Sequence, residues 1–509
     1  MEQNRVVNII NFVRGYEPRR EVDLMRPVVE EIRLNKKYGF ENTFLLQYDA
    51  MCREDFVDLF LKEKDEHMEL GVWLELARPL VEETGLVWEG RWDWDWHVNP
   101  GFLAAYKKEE KEALIDRIME KFYSIFGFYP KSAGSWVLDS DSVRYMKEKY
   151  GLEAFGICRE QWGTDGYTYW GGYYNGPYFP SKNHILHPAQ TKEQQIHVPV
   201  FRLLGADPIY CYYESLKGKW NPPGQKLYTL EPTWPCAQSG EWVDWYLKNL
   251  TENEDMGYSY TQTGQENPFG WENISKGLPM QMEKLYRLQK EGRIRIEKLC
   301  DSGRGFSDSH ALTPATVYSA LDDWAQNGCQ SVWYNCRNYR INVYCDGENV
   351  RIRDIHKFSE NYRDVHLDVP CKAHSILYDA LPVMDGLNFT DENTTAGIFL
   401  AKGKISNTAR DGQAFIVSVA GEEQNFILRM TEEKICITGE QEFLAPFAVK
   451  ESVRAGMKFG KDEIRYHHNG MEYALIMEEG SFDEKQDCLV SSGKRILLKM
   501  EVLHDRSID

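Results

Sequence analysis

Read for its apolar positions alone, the N-terminal part of the chain repeats one unit. A short, mostly apolar run is followed by a stretch in which apolar residues recur three and four apart. Runs at 6–13, 43–48, 70–76, 133–138 and 154–158 predict buried strands, and 22–37, 54–64, 107–126, 143–150 and 278–290 predict amphipathic helices. Apolar runs at 199–204 and 208–213 supply a sixth strand, and 258–263 a seventh. Residues 215–256 show no clear period. Strands alternating with helices at this spacing form βαβ units, and about seven of them predict a barrel rather than an open sheet. After about residue 330 the pattern changes to short alternating runs such as INVYCDGENVRIRDI, AFIVSVA, NFILRM and KICITG, separated by Gly, Asn and Asp turns. That texture predicts antiparallel sheets packed face to face. The expected fold class is therefore α/β, a (β/α)7-type barrel over 1–330, followed by an all-β sandwich domain over 331–509.

Composition narrows the partners. At 509 residues the chain exceeds what one core holds, since single cores stop growing near roughly 250–300 residues. A formal net charge of -19 disfavours nucleic acid and anionic membrane, both of which select basic patches. No apolar run approaches the ~18–20 residues that span a bilayer, and MEQNRVVNIINFV lacks the pattern of a secretory leader. The 11 Cys are scattered without CxxC pairs, which predicts neither a disulfide framework nor a zinc ribbon. A cytoplasmic protein with no cofactor is expected, and a homo-oligomer stays open.

Candidate chemistry gathers where strands end, because loops at the carboxyl ends of parallel strands converge on one crevice. Asp49, Glu75, Asp139, Glu160, Asp165, Glu214 and Glu266 all follow predicted strands. Cleaving a glycosidic bond takes two such carboxyls, one to protonate the leaving oxygen and one to attack or to activate water. The competing reading is helix capping, which Asp139, Ser140 and Asp141 before Val143 suit well. Arg159, Glu160, Gln161, Asp165, Tyr169 and Trp170 follow the fifth strand as a polar, aromatic loop suited to a sugar. Trp94, Asp95 and His97 belong to the loop at 87–102, VWEGRWDWDWHVNPGF, which could stack on a pyranose or plug the barrel mouth. His184 and His187 have a spacing compatible with a metal, and Cys158 with a nucleophile, though buried packing suits the cysteine better.

The run GFYPKSAGSWVLDSDSVRYMKEKYGLEAFGI resembles the fourth-strand region of glycoside hydrolase family 57, where Pro-Lys-Gly-x-Trp-x-x-Glu carries the nucleophile. The resemblance places Trp136 and Asp139 on that pattern and implies Asp139 as nucleophile. LGVWLELARPL is similar to the family's third-strand segment at Glu75, and GQENPFGW to its seventh-strand segment, implying Glu266 as acid/base. The first-strand His-x-His of that family is absent from NIINFVRGYEP, and Asp stands at 139 where the family has Glu. The layout is also that of polysaccharide deacetylases and family 38 α-mannosidases. The expectation is a glycoside hydrolase acting on a carbohydrate through Asp139 and Glu266, with no metal. Asp49, Glu75, Trp94, Asp95, His97, Trp136, Arg159, Glu160, Gln161, Asp165, Tyr169, Trp170 and Glu214 would bind substrate. A metal-dependent carbohydrate deacetylase, with His97, His184 or His187 converging on Asp49, and a non-catalytic carbohydrate-binding protein are the alternatives.

Overall fold

The apolar runs of the N-terminal part assemble as parallel strands β1 (Asn4–Val13), β2 (Asn42–Leu46), β3 (Met68–Trp73), β4 (Ser132–Ser135), β5 (Ala154–Ile157), β6 (Val200–Arg202) and β7 (Tyr258–Thr263). The structure, a computed structural model, describes residues 4–164, 166–213 and 228–504. Strand order is β7-β1-β2-β3-β4-β5-β6, with the short strand Arg295–Glu297 pairing the lower part of β1 beside β2. Strands β2 to β7 are buried at every position, as a sheet covered on both faces requires. Side chains bridge the seam between β6 and β7: Leu204 N donates to Gln262 Oε1 at 2.6 Å and Asn175 Nδ2 to Tyr260 O at 3.0 Å. Helices Met25–Tyr38, Lys108–Phe126 and Ser140–Tyr150 lay Val28 and Ile32, Leu114 and Ile118, and Val143 and Met146 into the same core as the strands.

Local chemistry redirects two of the predicted elements and supplies one the sequence did not predict. The run at 133–138 leaves the sheet at Ser135, because Trp136 turns inward against Phe12 and Trp73 (ring centroids 5.1 and 4.8 Å apart). The Leu138 N–H and carbonyl then bond the Tyr169 hydroxyl instead of a neighbouring strand. Residues 208–213 form a turn and the 3₁₀ helix Cys211–Tyr213 rather than a strand. Within the aperiodic region lies helix Gly240–Glu252, capped by Ser239, whose Trp242, Tyr246 and Leu250 recur every four residues into the core. Among the described residues no helix is long and apolar enough to cross a membrane.

From Thr316–Ala320 onward the chain is antiparallel β. One hydrogen-bonded path runs through Cys329–Asn335, Tyr339–Asp346, Asn349–Lys357, Gly397–Asp411 and Ala414–Gly421 to Arg495–His504. It folds over a single core that includes Val332, Ile341, Ile352, Ile398, Val417, Leu428 and Leu498.

Polar groups join this part to the barrel. Arg340, fully buried, reaches Glu160 through Nη1 and Nη2 at 2.7 and 2.8 Å, and Asp354 through Nε and Nη2 at 2.8 and 2.9 Å. Trp170 Nε1 donates to Asp385 Oδ2 at 2.7 Å, and the Tyr212 hydroxyl to Asp354 Oδ2 at 2.9 Å. Tyr174 stacks on Trp333 with centroids 4.1 Å apart, and Ile376–Tyr378 pairs in parallel with Tyr167–Tyr169. Removing one partner of a buried ion pair strands the others without water. Arg340→Met should therefore lower stability by about 3–5 kcal/mol in urea unfolding followed by tryptophan fluorescence; a loss under about 1 kcal/mol would show that the two parts hold together by apolar packing alone.

Candidate functional site

The first strand carries its chemistry one residue past its end. Arg14, 1% exposed, lies at the carboxyl end of β1 between two glutamates from other strand ends. Its Nε and Nη2 donate to Glu75 Oε2 at 2.9 and 2.5 Å, and its Nη1 donates to Glu266 Oε2 at 2.7 Å. Trp73 Nε1 adds a bond to Glu75 at 2.8 Å, and the face of Trp94 lies 4.0 Å from the guanidinium carbon. Burial by itself would lower the arginine's pKa, but the charges of Glu266 and Glu75 outweigh it and drive the pKa up.

Backbone contacts place Glu266. Phe12 N donates to Gln265 O at 3.1 Å and Arg14 N to Asn267 Oδ1 at 2.9 Å, which press the loop after β7 onto β1. Gly264 permits that approach, with φ +118° and room for no side chain: a Cβ would lie 2.0 Å from Ile10 O.

A third carboxyl comes from a segment without sequence period. Tyr228–Glu231 is pinned to the chain just after β6 by Leu230 N donating to Leu204 O and Gly205 O, and by a bridge between Thr229 and Ala206. Glu231 is 6% exposed, and its Oε2 accepts from Trp234 Nε1 at 3.0 Å and Thr229 Oγ1 at 3.1 Å. Burial, and after it the nearby charge of Glu266, raise its pKa to about 7 against the opposing pull of Trp234, Arg159 and Thr229. One guanidinium already serves Glu75 and Glu266, so a further negative charge here is costly, which adds to burial in favouring the neutral form of Glu231. The cluster thus holds two carboxyls bound to a guanidinium beside a third whose pKa is raised.

The rim is aromatic. Trp96 is half-buried and stacks on the exposed Trp92 at 5.3 Å, while Arg19 lies 4.9 Å from the Trp94 ring and 5.1 Å from Trp96. Asp95 accepts from Arg91 Nε at 2.9 Å and sits 2.7 Å from His97 Nδ1; despite its burial, Arg91 and His97 hold it well below the usual carboxylate range. Asp49 accepts from Gly15 N at 3.0 Å, and burial raises its pKa to about 6.

Glu75, Glu266 and Trp94 are thus brought together, while other residues expected at the site are engaged elsewhere. Asp139 caps helix Ser140–Tyr150, accepting from Ser142 N and Oγ at 2.9 Å each, with Lys111 Nζ at 3.0 Å and no exposed surface. Its capping reading holds, and β4 ends four residues before it. Trp136 is core, and Tyr169 ties off Leu138. Gln161 Nε2 donates to the Tyr167 hydroxyl at 2.7 Å, and Glu160 and Trp170 serve the junction between the two parts. Arg159 Nη1 donates to Glu160 O at 2.5 Å, close enough to the cluster for its charge to act on Glu231. Asp165 and Glu214 lie outside the described residues. Burial pushes the Cys158 thiol up to about 12.

The histidines do not converge on Asp49. His97 pairs with Asp95; His184 and His187 are buried against Tyr362, and burial, then neighbouring positive charge, holds both below the usual range. Among the described residues, three potential ligand atoms lie within 4.8 Å of one another at Asp354, His356 and Asp385. Those carboxylates do not suit a cation. Asp354 already accepts from Arg340 and Tyr212, and Asp385 from Trp170, Leu387 N and both nitrogens of Asn388.

Residues 24–276 match a family model described as "Domain of Unknown Function with solved-structure structure (DUF3863)". No curated protein matches the sequence. A provisionally assigned glycoside hydrolase/deacetylase from Parabacteroides distasonis superposes with a TM-score of 0.53 at 15% identity, covering 77% of this chain and 96% of that one. A provisionally assigned polysaccharide deacetylase from Mycobacterium smegmatis gives 0.38 at 11% identity over 62% and 93%. The 4-alpha-glucanotransferase from Thermococcus litoralis gives 0.30 at 10% identity over 98% of each chain. The first of these shares the fold.

Glu231 makes stability pH-dependent with a definite sign. Its folded pKa stands above the ordinary 4.5, so wild type loses stability as pH rises through 4.5 to about 7. Glu231→Gln should be more stable than wild type in urea at pH 8 by on the order of 2 kcal/mol, with the gap closing at pH 5. Parallel pH profiles for the two proteins would remove the protonated carboxyl from this site.

Proposed function

We propose that this chain is a carbohydrate-active enzyme, and specifically a glycoside hydrolase, with Glu231 as general acid and Glu266 as the second carboxylate. The observation that carries the reading is the unequal pair: Glu266 is tied to Arg14, while Glu231 is raised to about 7 by burial and by that same charge. Two carboxyls whose surroundings separate their protonation states are what glycosidic cleavage needs.

In this mechanism the Glu231 carboxyl gives its proton to the glycosidic oxygen as the bond to the anomeric carbon breaks. Glu266 supplies negative charge on the other side, either attacking that carbon or taking a proton from water. Retaining enzymes hold the two carboxyls about 5–5.5 Å apart and inverting ones about 6.5–9.5 Å apart, so the anomer first released reports which step operates. Glu75 does not touch the sugar in this scheme; it anchors the Arg14 fork that positions Glu266. Trp94 is wholly buried and lies against Arg14, so the faces left for a pyranose are the half-exposed Trp96 and Trp234.

The test is hydrolysis of nitrophenyl and natural glycosides, with and without EDTA. Glu231→Gln and Glu266→Gln should each lower kcat by roughly 10²–10⁴. Activity should fall above pH about 7, where Glu231 loses its proton. An activated dinitrophenyl glycoside, whose leaving group needs no proton, should restore much of the rate to Glu231→Gln but not to Glu266→Gln. Asp139→Asn should keep wild-type kcat within a few-fold in the protein that folds. Loss of activity in EDTA, or full activity in Glu266→Gln, would sink the paired-carboxylate mechanism.

A further inference from the structure

Arg202, at the last position of β6, is a buried cation whose bonds all go to neutral groups. It is 3% exposed, and its Nε donates to Cys158 O at 2.8 Å while Nη1 donates to Gly171 O and Tyr173 O at 3.2 Å each. Its Nη2 is buried without a hydrogen-bond partner, and no carboxylate among the described residues lies within ion-pair distance of it. Arg14, by contrast, meets Glu75 and Glu266, and Arg340 meets Glu160 and Asp354. A guanidinium out of water and without an anion is costly, and a site that supplies the anion from outside removes that cost.

Arg202 lines a narrow pocket of about 20 Å³ together with Arg159, Trp170, Tyr174, Asn175 and Tyr212, with room for one water or one carboxylate oxygen. Glu160 also lines it, but its charge is committed to Arg340 and to Gly171 N, which donates to it at 2.6 Å. Two guanidinium groups and aromatic walls therefore face the same small space. Arg159, which lines the pocket, also lies near enough to the carboxyl cluster for its charge to act on Glu231. Resting on the hydrolase reading, we infer that the substrate is an acidic sugar, a uronic acid residue whose carboxylate enters this pocket and pairs with Arg202. A planar carboxylate matches the guanidinium fork in shape as well as in charge.

Calorimetric titration of the full chain with free monosaccharides tests this without any hydrolysis. Glucuronic or galacturonic acid should bind at least ten-fold more tightly than glucose or galactose. The uronic acid methyl ester, which keeps the shape and loses the charge, should bind like the neutral sugar. Arg202→Met should erase the preference and Arg202→Lys retain part of it; the ester comparison needs no variant and stands even where Arg202→Met does not fold. Equal binding of acid and neutral sugar, no binding of either uronic acid, or an undiminished preference in folded Arg202→Met would each overturn the inference. A sugar sulfate ester bound in preference to the uronic acid would overturn the carboxylate assignment. Uronic acid binding without cleavage of any uronide would refute the hydrolase and leave this pocket standing, whereas cleavage confined to neutral glycosides would do the reverse.

Discussion

Arg14 organises the barrel mouth because a buried guanidinium draws acids to itself, each pairing offsetting part of the cost of its burial. Its donors reach Glu75 from beyond β3 and Glu266 from beyond β7, so one side chain sets the positions of two others across the barrel. Glu231 meets an environment that favours its neutral form, first through burial and then through the charge of Glu266. Arg14 contributes to the second of these by holding Glu266 in place. Trp94 completes the arrangement by covering the guanidinium face, which keeps water out and the charges effective.

The same principle joins the barrel to the β part. Glu160, Arg340 and Asp354 form a buried chain of ion pairs, extended by Tyr212, Trp170 and Asp385. Each member would be costly alone, and together they set the orientation of one part on the other more narrowly than apolar packing could. The loop after β5 is therefore divided in purpose. Glu160 and Trp170 fasten the junction, while Arg159 faces the cluster at the mouth. Arg202, by contrast, is a buried cation whose described hydrogen bonds all go to backbone carbonyls.

Likeness to other proteins carries the fold and not the chemistry. The Parabacteroides distasonis protein shares the architecture at 15% identity, a level at which strand ends can hold quite different side chains. Function here is argued from the cluster itself, and the cluster has its own composition: an arginine, three carboxyls and tryptophans, with no histidine among the contacts of Arg14, Glu231 or Glu266 described above.

Much of the architecture was readable from periodicity. Mostly apolar runs such as 6–13 and 154–158 fit a covered parallel sheet, and the alternating runs after residue 330 fit antiparallel ladders. The strand-end rule also found Glu75 and Glu266, since loops after parallel strands must converge whatever their sequence. The same rule, applied to the residue following the first run, points to Arg14. It misplaced Asp139, because the apolar run at 133–138 continues after the strand has stopped; Trp136 and Leu138 are buried by the core and the Tyr169 hydroxyl, not by strand pairing. Glu231 had no local signal at all. It reaches the mouth through hydrogen bonds between residues far apart in the chain, Leu230 to Leu204 and Gly205, and its proton is held there by burial and by the charge of Glu266. Periodicity reports which side of an element is covered. Which charges meet, and therefore which carboxyl keeps its proton, depends on distances that only the folded chain sets.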